Sequence, residues 1–149
     1  MAAEHIVAQA TEAQRQAADP EATVWVSASA GSGKTKVLVD RVLSLLLRGS
    51  APGKILCLTF TKAAAAEMAN RLSGRLAGWV TADEAVLRAS LEALTGGPVD
   101  DDLLPRARAL FARVLDTPGG IKIQTIHAFC QALLGRFPLE ACVAPNARV

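Results

Sequence analysis

Apolar residues along the chain alternate between short β-rich runs and longer stretches with helical spacing. The short runs, which we expect to form strands, are Thr23 to Ser27, Lys54 to Phe60 and Ile121 to Thr125. The longer stretches, which we expect to form helices, are Lys34 to Arg48, Lys62 to Ala77 and Ile126 to Arg136. The first two runs suit parallel strands that are buried on both faces. Strands and helices in this alternation predict a doubly wound α/β fold with right-handed crossovers.

Residues 79–118, between the second of these helices and the third strand, predict an insertion of two further helices. Their apolar faces are formed by Ala85, Leu87, Leu91 and Leu94, and by Leu103, Ala107, Leu110, Phe111 and Val114. Asp100-Asp101-Asp102 precedes the second of the two, and we expect its carboxylates to cap that helix. An acidic metal site is the alternative, although three consecutive carboxylates do not face one point on a regular element.

Modest helical periodicity predicts a helix before the first strand, over Ile6 to Ala18, and Asp19-Pro20 would end it. Gln14 in this helix admits two interpretations. With Thr11 it has the spacing of a capping box at a helix start. Alternatively, its amide offers a donor and an acceptor together, which allows it to read the adenine of a nucleotide bound nearby.

The composition is that of one globular domain, since 51% of the 149 residues are hydrophobic and 20% are charged. No secretory signal is visible, and the most apolar stretch is too short to span a bilayer. Cys57, Cys130 and Cys142 form no C-x-x-C pair, which argues against a disulfide scaffold and against a zinc site. We therefore expect a cytoplasmic protein with free thiols.

The net charge of +2 is distributed unevenly. Residues 23–78 contain eight Lys and Arg against two acids, whereas residues 79–119 contain four against seven. Positive charge therefore concentrates where a polyanion could lie. Phosphate binding together with ordinary solvated helix faces would explain the same excess, and the charge alone does not separate these two explanations.

Between the first predicted strand and its helix lies the glycine-rich turn Ala28-Ser29-Ala30-Gly31-Ser32-Gly33-Lys34-Thr35. A strand, such a turn and a helix in this order are typical of a phosphate-binding loop, in which backbone N–H groups hold phosphate oxygens. Lys34 would then reach the β- and γ-phosphates, and the Thr35 hydroxyl would bind Mg²⁺. A flexible turn with a solvated Lys34 is the alternative. Ala28 stands where glycine is usual.

Three stretches together resemble motifs I, Ia and Ib of the UvrD-like superfamily 1 DNA helicases. They are A-S-A-G-S-G-K-T at 28–35, T-F-T-K-A-A-A-A-E-M at 59–68 and Q-T-I-H-A-F-C at 124–130. In that family the phosphate loop likewise begins with a small residue other than glycine. The resemblance implies a P-loop NTPase fold with a RecA-like parallel sheet and flanking helices, here as an incomplete domain that carries the two-helix insertion.

Within this family, the chain resembles the AddA-type helicase-nuclease subunits of double-strand-break repair complexes. The run from Asp116 to Gln131, the following Arg136 to Ala141 and the helical insertion carry this closer likeness. It implies ATP and Mg²⁺ as cofactors, single-stranded and double-stranded DNA as substrates, and an AddB-like partner protein.

The resemblance also implies roles for individual residues. Gln14 would bond the adenine, residues 28–35 would hold the phosphates, and Lys36 would pack over the base. Phe60 would stack on a nucleobase, while Thr61, Thr125 and His127 would contact the sugar-phosphate backbone. Without the resemblance, Phe60 would be assigned to the core and His127 to a structural role.

ATP hydrolysis also needs an acidic residue at a later strand end and arginines that neutralise developing charge. Only Glu140 follows Thr125 as an acid, and the family's D-E-x-Q-D element is not in the sequence. We therefore expect the N-terminal part of the first motor domain of a longer 3′-to-5′ helicase-nuclease, inactive in hydrolysis by itself. A UvrD-type repair helicase without a nuclease and a non-catalytic nucleotide- or DNA-binding module are the alternatives.

Overall fold

A computed structural model describes residues 12–27, 29, 31 and 33–142, in which helices and two short strands alternate. Residues 12–18 form helix α1. The other helices are α2 (Lys34–Leu47), α3 (Lys62–Thr81), α4 (Glu84–Thr95), α5 (Leu103–Asp116) and α6 (Ile126–Arg136). The strands are β1 (Leu56–Thr59) and β2 (Lys122–Thr125), and a 3-10 turn, Pro52–Lys54, precedes β1.

The two strands pair in parallel, with Leu56 opposite Lys122 and Thr59 opposite Thr125. The crossover between them consists of α3, α4 and α5. Because the strands are parallel, both end at the same edge of the sheet, and α3 and α6 begin there. The predicted α/β architecture with parallel strands is confirmed.

Helices α2 to α5 form the core, because each presents one apolar face to the others. Leu43, Leu87, Leu91 and Ala107 are fully buried. The predicted stripe of α3 is confirmed, since Met68, Leu72 and Leu76 are buried, and Trp79 extends it because α3 continues to Thr81. The Trp79 indole donates a hydrogen bond to Ser90 Oγ at 3.1 Å and so joins α3 to α4.

The prediction of a buried central strand at Thr23 to Ser27 was wrong. These residues adopt no strand and are exposed, and the Trp25 side chain is 94% exposed. The composition is β-rich, but a central strand also needs hydrogen-bonded partners on both sides. Among the described residues β1 and β2 pair only with each other, so neither strand is paired with this segment.

The prediction that the second strand is buried on both faces was also wrong. Cys57 and Ile123 pack on the helical core, whereas Leu56 and Leu58, which point to the opposite face, remain 43% and 45% exposed. Helix α6 contributes no buried residue, so this opposite face stays open. Burial on the covered face raises the pKa of the Cys57 thiol.

The acidic run before α5 does not cap that helix as predicted. Asp102 is the N-cap residue, but its side chain makes no capping hydrogen bond. Asp101 instead accepts a hydrogen bond from Arg88 of α4 at 2.6 Å. The backbone N–H of Leu103 bonds to the carbonyl of Asp100, which satisfies one of the first N–H groups of α5 that have no partner within the helix.

No helix among the described residues combines the length and the apolar character needed to cross a membrane.

Candidate nucleotide and DNA sites

Two described glycines of the loop before α2 have a left-handed backbone. Gly31 and Gly33 have φ angles of +79° and +84°, a conformation that glycine adopts without strain. Gly33 is the N-cap residue of α2 and, having no side chain, makes no side-chain capping hydrogen bond to the first turn. Ala28, Ala30 and Ser32 lie outside the described residues.

The Lys34 ammonium lies over this loop, because Nζ donates a hydrogen bond to the backbone carbonyl of Ser29. Lys34 is exposed, and Thr35 is half-buried in the first turn of α2. The lysine side chain is therefore folded back onto the turn that the sequence predicts to hold phosphates.

Gln14 of α1 lies against the same loop. A Cβ atom added to Gly33 would stand 3.2 Å from Gln14 Nε2, which places the side-chain amide directly beside the glycine. The structure thus brings together two elements that the sequence predicts to share a nucleotide site. Thr11, the partner in the alternative capping-box interpretation, lies outside the described residues.

Lys36 has a partner that the sequence analysis missed. Its ammonium lies 2.7 Å from the carboxylate of Asp40, and the second carboxylate oxygen lies 3.4 Å from Arg75 of α3. Asp40 is 7% exposed, so two cations neutralise a buried acid. The four-residue spacing of Lys36 and Asp40 on a helix could have indicated their contact, whereas no local pattern indicates Arg75.

A small cleft of about 40 Å³ lies between Gln14 of α1 and the Lys36–Asp40 ion pair of α2. Its lining includes Gln14 and Ala18 from α1, Lys36 and Asp40 from α2, and Leu94 from α4. A cleft of this volume holds about one water molecule and is too small for a purine base.

The second candidate site is the edge at which β1 and β2 end. Phe60 follows β1 and is 81% exposed, which excludes the interpretation of this residue as part of the core. Thr61 and Thr125 are the N-cap residues of α3 and α6, and each hydroxyl oxygen accepts a backbone N–H bond at 3.1 Å, from Ala64 and Ala128 respectively.

Both threonines therefore have a structural role at this edge. A threonine hydroxyl that accepts a hydrogen bond can still donate its own proton, so each cap can also bind a phosphate oxygen. Thr61 is exposed, but Thr125 is only 9% exposed. Lys62 and His127, in the first turns of α3 and α6, are exposed as well. The edge combines an exposed aromatic ring with donors from two helix N-termini.

Within the part of the chain that the structure describes, no three His, Cys, Asp or Glu side chains group closely enough to hold a metal ion. The assignment of Thr35 as a Mg²⁺ ligand stays a prediction. A metal held there would take most of its ligands from nucleotide and water.

Comparisons with known proteins show the family of the chain. The family model described as "UvrD/REP helicase N-terminal domain" matches residues 10–148. A curated relative from Latilactobacillus sakei subsp. sakei, the AddA protein of an ATP-dependent helicase/nuclease, is 35% identical over 130 residues, which cover 87% of this chain and 12% of the relative. The corresponding protein from Lactobacillus acidophilus is 34% identical over 142 residues, which cover 95% of this chain and 10% of the relative.

The corresponding protein from Oenococcus oeni is 45% identical over a shorter stretch of 73 residues, 49% of this chain and 6% of the relative. The chain thus spans about a tenth of the length of the curated relatives it matches.

Proposed function

Because the chain belongs to the UvrD/REP helicase N-terminal domain family, we propose that it is the ATP-binding part of an ATP-dependent DNA helicase. ATP binds at the loop before α2, and single-stranded DNA binds at the edge where β1 and β2 end. The relatives are named as components of ATP-dependent helicase/nucleases. We extend that activity to the longer protein: it unwinds DNA in the 3′-to-5′ direction for double-strand-break repair, together with an AddB-like partner.

The fold that suits this function is a P-loop NTPase with a RecA-like sheet, of which β1 and β2 form one part and residues 79–118 form an insertion. On this proposal, the triphosphate occupies the turn around Gly31 and Gly33, where main-chain N–H groups and the α2 N-terminus favour negative charge. Lys34 moves from the Ser29 carbonyl to the β- and γ-phosphates. Thr35 supplies a hydroxyl to Mg²⁺, which neutralises phosphate charge when it is bound. Gln14 bonds the adenine.

The observation that carries the DNA part of the proposal is the exposure of Phe60. An exposed phenyl ring costs free energy in water, and a base stacked on it would remove that cost without any sequence preference. Thr61, Lys62 and His127 lie around it at the N-termini of α3 and α6. They suit the phosphates on either side of the stacked base.

The first test is nucleotide binding by this chain, measured as the fluorescence of a ribose-labelled ATP analogue. Lys34→Ala is expected to lower the affinity at least tenfold, because it removes a cation from the phosphates. Lys54→Ala is the matched control, since Lys54 is an exposed lysine in the turn before β1. Equal affinities of the two variants would contradict the ATP site.

Measuring ATP turnover by the same chain tests whether the chain only binds ATP, as proposed, or is a complete motor that also hydrolyses it. We expect binding without hydrolysis, because the acidic and arginine groups that hydrolysis needs are not supplied by this chain. Steady phosphate release that single-stranded DNA stimulates and Lys34→Ala abolishes would show that this expectation is wrong.

The second test concerns DNA. Phe60→Ala is expected to weaken the binding of a fluorescent oligothymidylate about tenfold, since stacking contributes about 1–3 kcal/mol per base. Phe137→Ala is the control, because Phe137 is also exposed but follows the C-terminal end of α6, away from the edge. If both variants bind as the unmodified chain does, the edge is not the DNA track.

A further inference from the structure

Arg41 of α2 makes a set of contacts that neither proposed site uses. Its NH1 group donates to the carbonyl oxygens of Ala17, at 3.3 Å, and Asp19. Its NH2 group donates to the carbonyl oxygen of Ala22 at 2.6 Å. One guanidinium therefore holds three backbone carbonyls, which belong to the end of α1 and to the turn after it.

Arg41 meets these carbonyls where α1 ends, and the carbonyl of Asp19 also accepts the backbone N–H of Ala22 at 3.4 Å. Residues 12–18 are helical, and Pro20 forces Asp19 out of the helical region. The last carbonyls of a helix have no partner within the helix and carry its negative partial charge. The planar fork of an arginine, with five N–H donors, fits several carbonyls at once in a way that a lysine cannot.

The other described contacts of α1 and of the turn after it mostly involve exposed side chains. Most of its described residues are exposed, and Ala18 is the buried exception. The Arg15 side chain lies against Gly96, at the end of α4. Arg48 and Glu21 form an ion pair between α2 and the turn after α1, but both side chains are at least half exposed, and such pairs contribute little.

Gln14 lies one helical turn before Ala17, so the position of the α1 end determines where its amide lies. A shift of α1 by about one residue, roughly 1.5 Å along the axis, would move Gln14 Nε2 away from the glycine loop. The loop itself would keep its glycines and Lys34, since these belong to α2 and the turn that precedes it.

We propose that Arg41 is a positioning residue for base recognition: by holding the end of α1 on α2 it keeps Gln14 beside the phosphate loop, and so maintains a preference for ATP over GTP. The inference rests on the proposed nucleotide site. Adenine and guanine present opposite donor and acceptor groups on their pairing edges, so a fixed amide accepts one and rejects the other.

The test compares the affinities of ribose-labelled ATP and GTP for the unmodified chain, Arg41→Gln, Arg41→Lys and Gln14→Ala. Arg41→Gln is expected to lower ATP affinity about tenfold and to change GTP affinity less than twofold, because the phosphate contacts stay. Arg41→Lys, which reaches fewer carbonyls, is expected to fall between. Arg48→Gln is the matched control, since it removes the exposed ion pair to the same turn and should keep the ATP preference.

Combining Arg41→Gln with Gln14→Ala provides the decisive comparison. If Arg41 acts through Gln14, the double variant loses no more ATP preference than Gln14→Ala alone does. Losses that add, or an equal fall in ATP and GTP affinity in Arg41→Gln, would overturn the inference. An unchanged ratio of the two affinities in Arg41→Lys would also overturn it, and that result needs only the conservative variant to fold.

These outcomes are distinct from a failure of the proposed function. A chain that binds neither nucleotide refutes the nucleotide site itself. A chain that binds ATP and GTP equally well keeps the phosphate site and refutes base reading through Gln14 and Arg41.

Discussion

Gly33 lies between the phosphate loop and Gln14, and its backbone and its surroundings both require glycine. Its φ angle of +84° is unfavourable for any residue with a Cβ atom, and that atom would meet Gln14 Nε2 at 3.2 Å. We therefore predict that Gly33→Ala lowers nucleotide affinity about tenfold, because the left-handed conformation alone costs about 1–2 kcal/mol. Titration of labelled ATP measures the change.

Gly78→Ala is the control for that substitution. Gly78 lies inside α3, and a Cβ atom there would contact nothing. This variant is expected to raise the free energy of unfolding by about 0.5–1 kcal/mol through helix propensity and to leave nucleotide affinity unchanged. Similar nucleotide affinities in the two variants would mean that the glycine loop does not bind the phosphates.

The sequence predicts which residues belong to the candidate sites, but it indicates only some of their structural roles. The hydroxyls of Thr61 and Thr125 cap α3 and α6, and threonine before a helical stretch is a visible N-cap signal. The difference in their exposure is not visible, because it depends on the residues that pack beside β2. The sequence likewise indicates Lys36 as a site residue but not that it shares Asp40 with Arg75, because Arg75 lies on a different helix.

At the scale of elements, Asp40 joins the helix after the phosphate loop to the helix after Phe60. It accepts from Lys36 on its own helix and from Arg75 on α3. We predict that Asp40→Asn lowers the free energy of unfolding by about 1–3 kcal/mol, because it leaves two cations without their counter-charge at a nearly buried site. Urea denaturation followed by circular dichroism measures it.

Glu67→Gln is the matched change for Asp40→Asn. It removes the Glu67–Arg71 ion pair of α3, in which both side chains are more than half exposed. Its effect is expected to stay within about 0.5 kcal/mol. An equal loss of stability in both variants would show that burial does not strengthen the Asp40 contacts.

The helices could be predicted because their sequence signals are local. The sheet could be predicted only in part. The buried faces of α2, α3, α4 and α5 repeat at helical spacing within each segment. Thr23 to Ser27 has the composition of a strand, yet pairing depends on residues that are distant in sequence. Composition predicted neither the missing partner of this segment nor the open face of Leu56 and Leu58.

At the scale of the whole molecule, the described residues form a closed helical core, while one face of the sheet and the segment 23–27 are exposed. The two tryptophans report on the core and on this segment separately, because Trp79 is 3% exposed in the helical core and Trp25 is 94% exposed. We predict that iodide quenches Trp25 and spares Trp79. Fluorescence of Trp25→Phe and Trp79→Phe assigns the two signals.

The two tryptophans should also differ in how much each contributes to the free energy of unfolding. Trp79→Ala is expected to cost about 3–5 kcal/mol, whereas Trp25→Ala should change the free energy of unfolding by less than about 0.5 kcal/mol. A quenching-resistant Trp25 would show that the segment 23–27 is covered in solution, for example by a second copy of the chain.

The long crossover between β1 and β2 has a consequence for synthesis on the ribosome. Leu56–Thr59 leaves the exit tunnel well before Lys122–Thr125, and α3, α4 and α5 can form in the interval because their contacts are local. During that time β1 has an unpaired edge next to exposed Phe60, and unpaired edges promote association between chains. The edge that we propose to bind DNA is thus completed only when β2 is synthesised, so slow translation of the helical stretch would lengthen the period in which nascent chains aggregate.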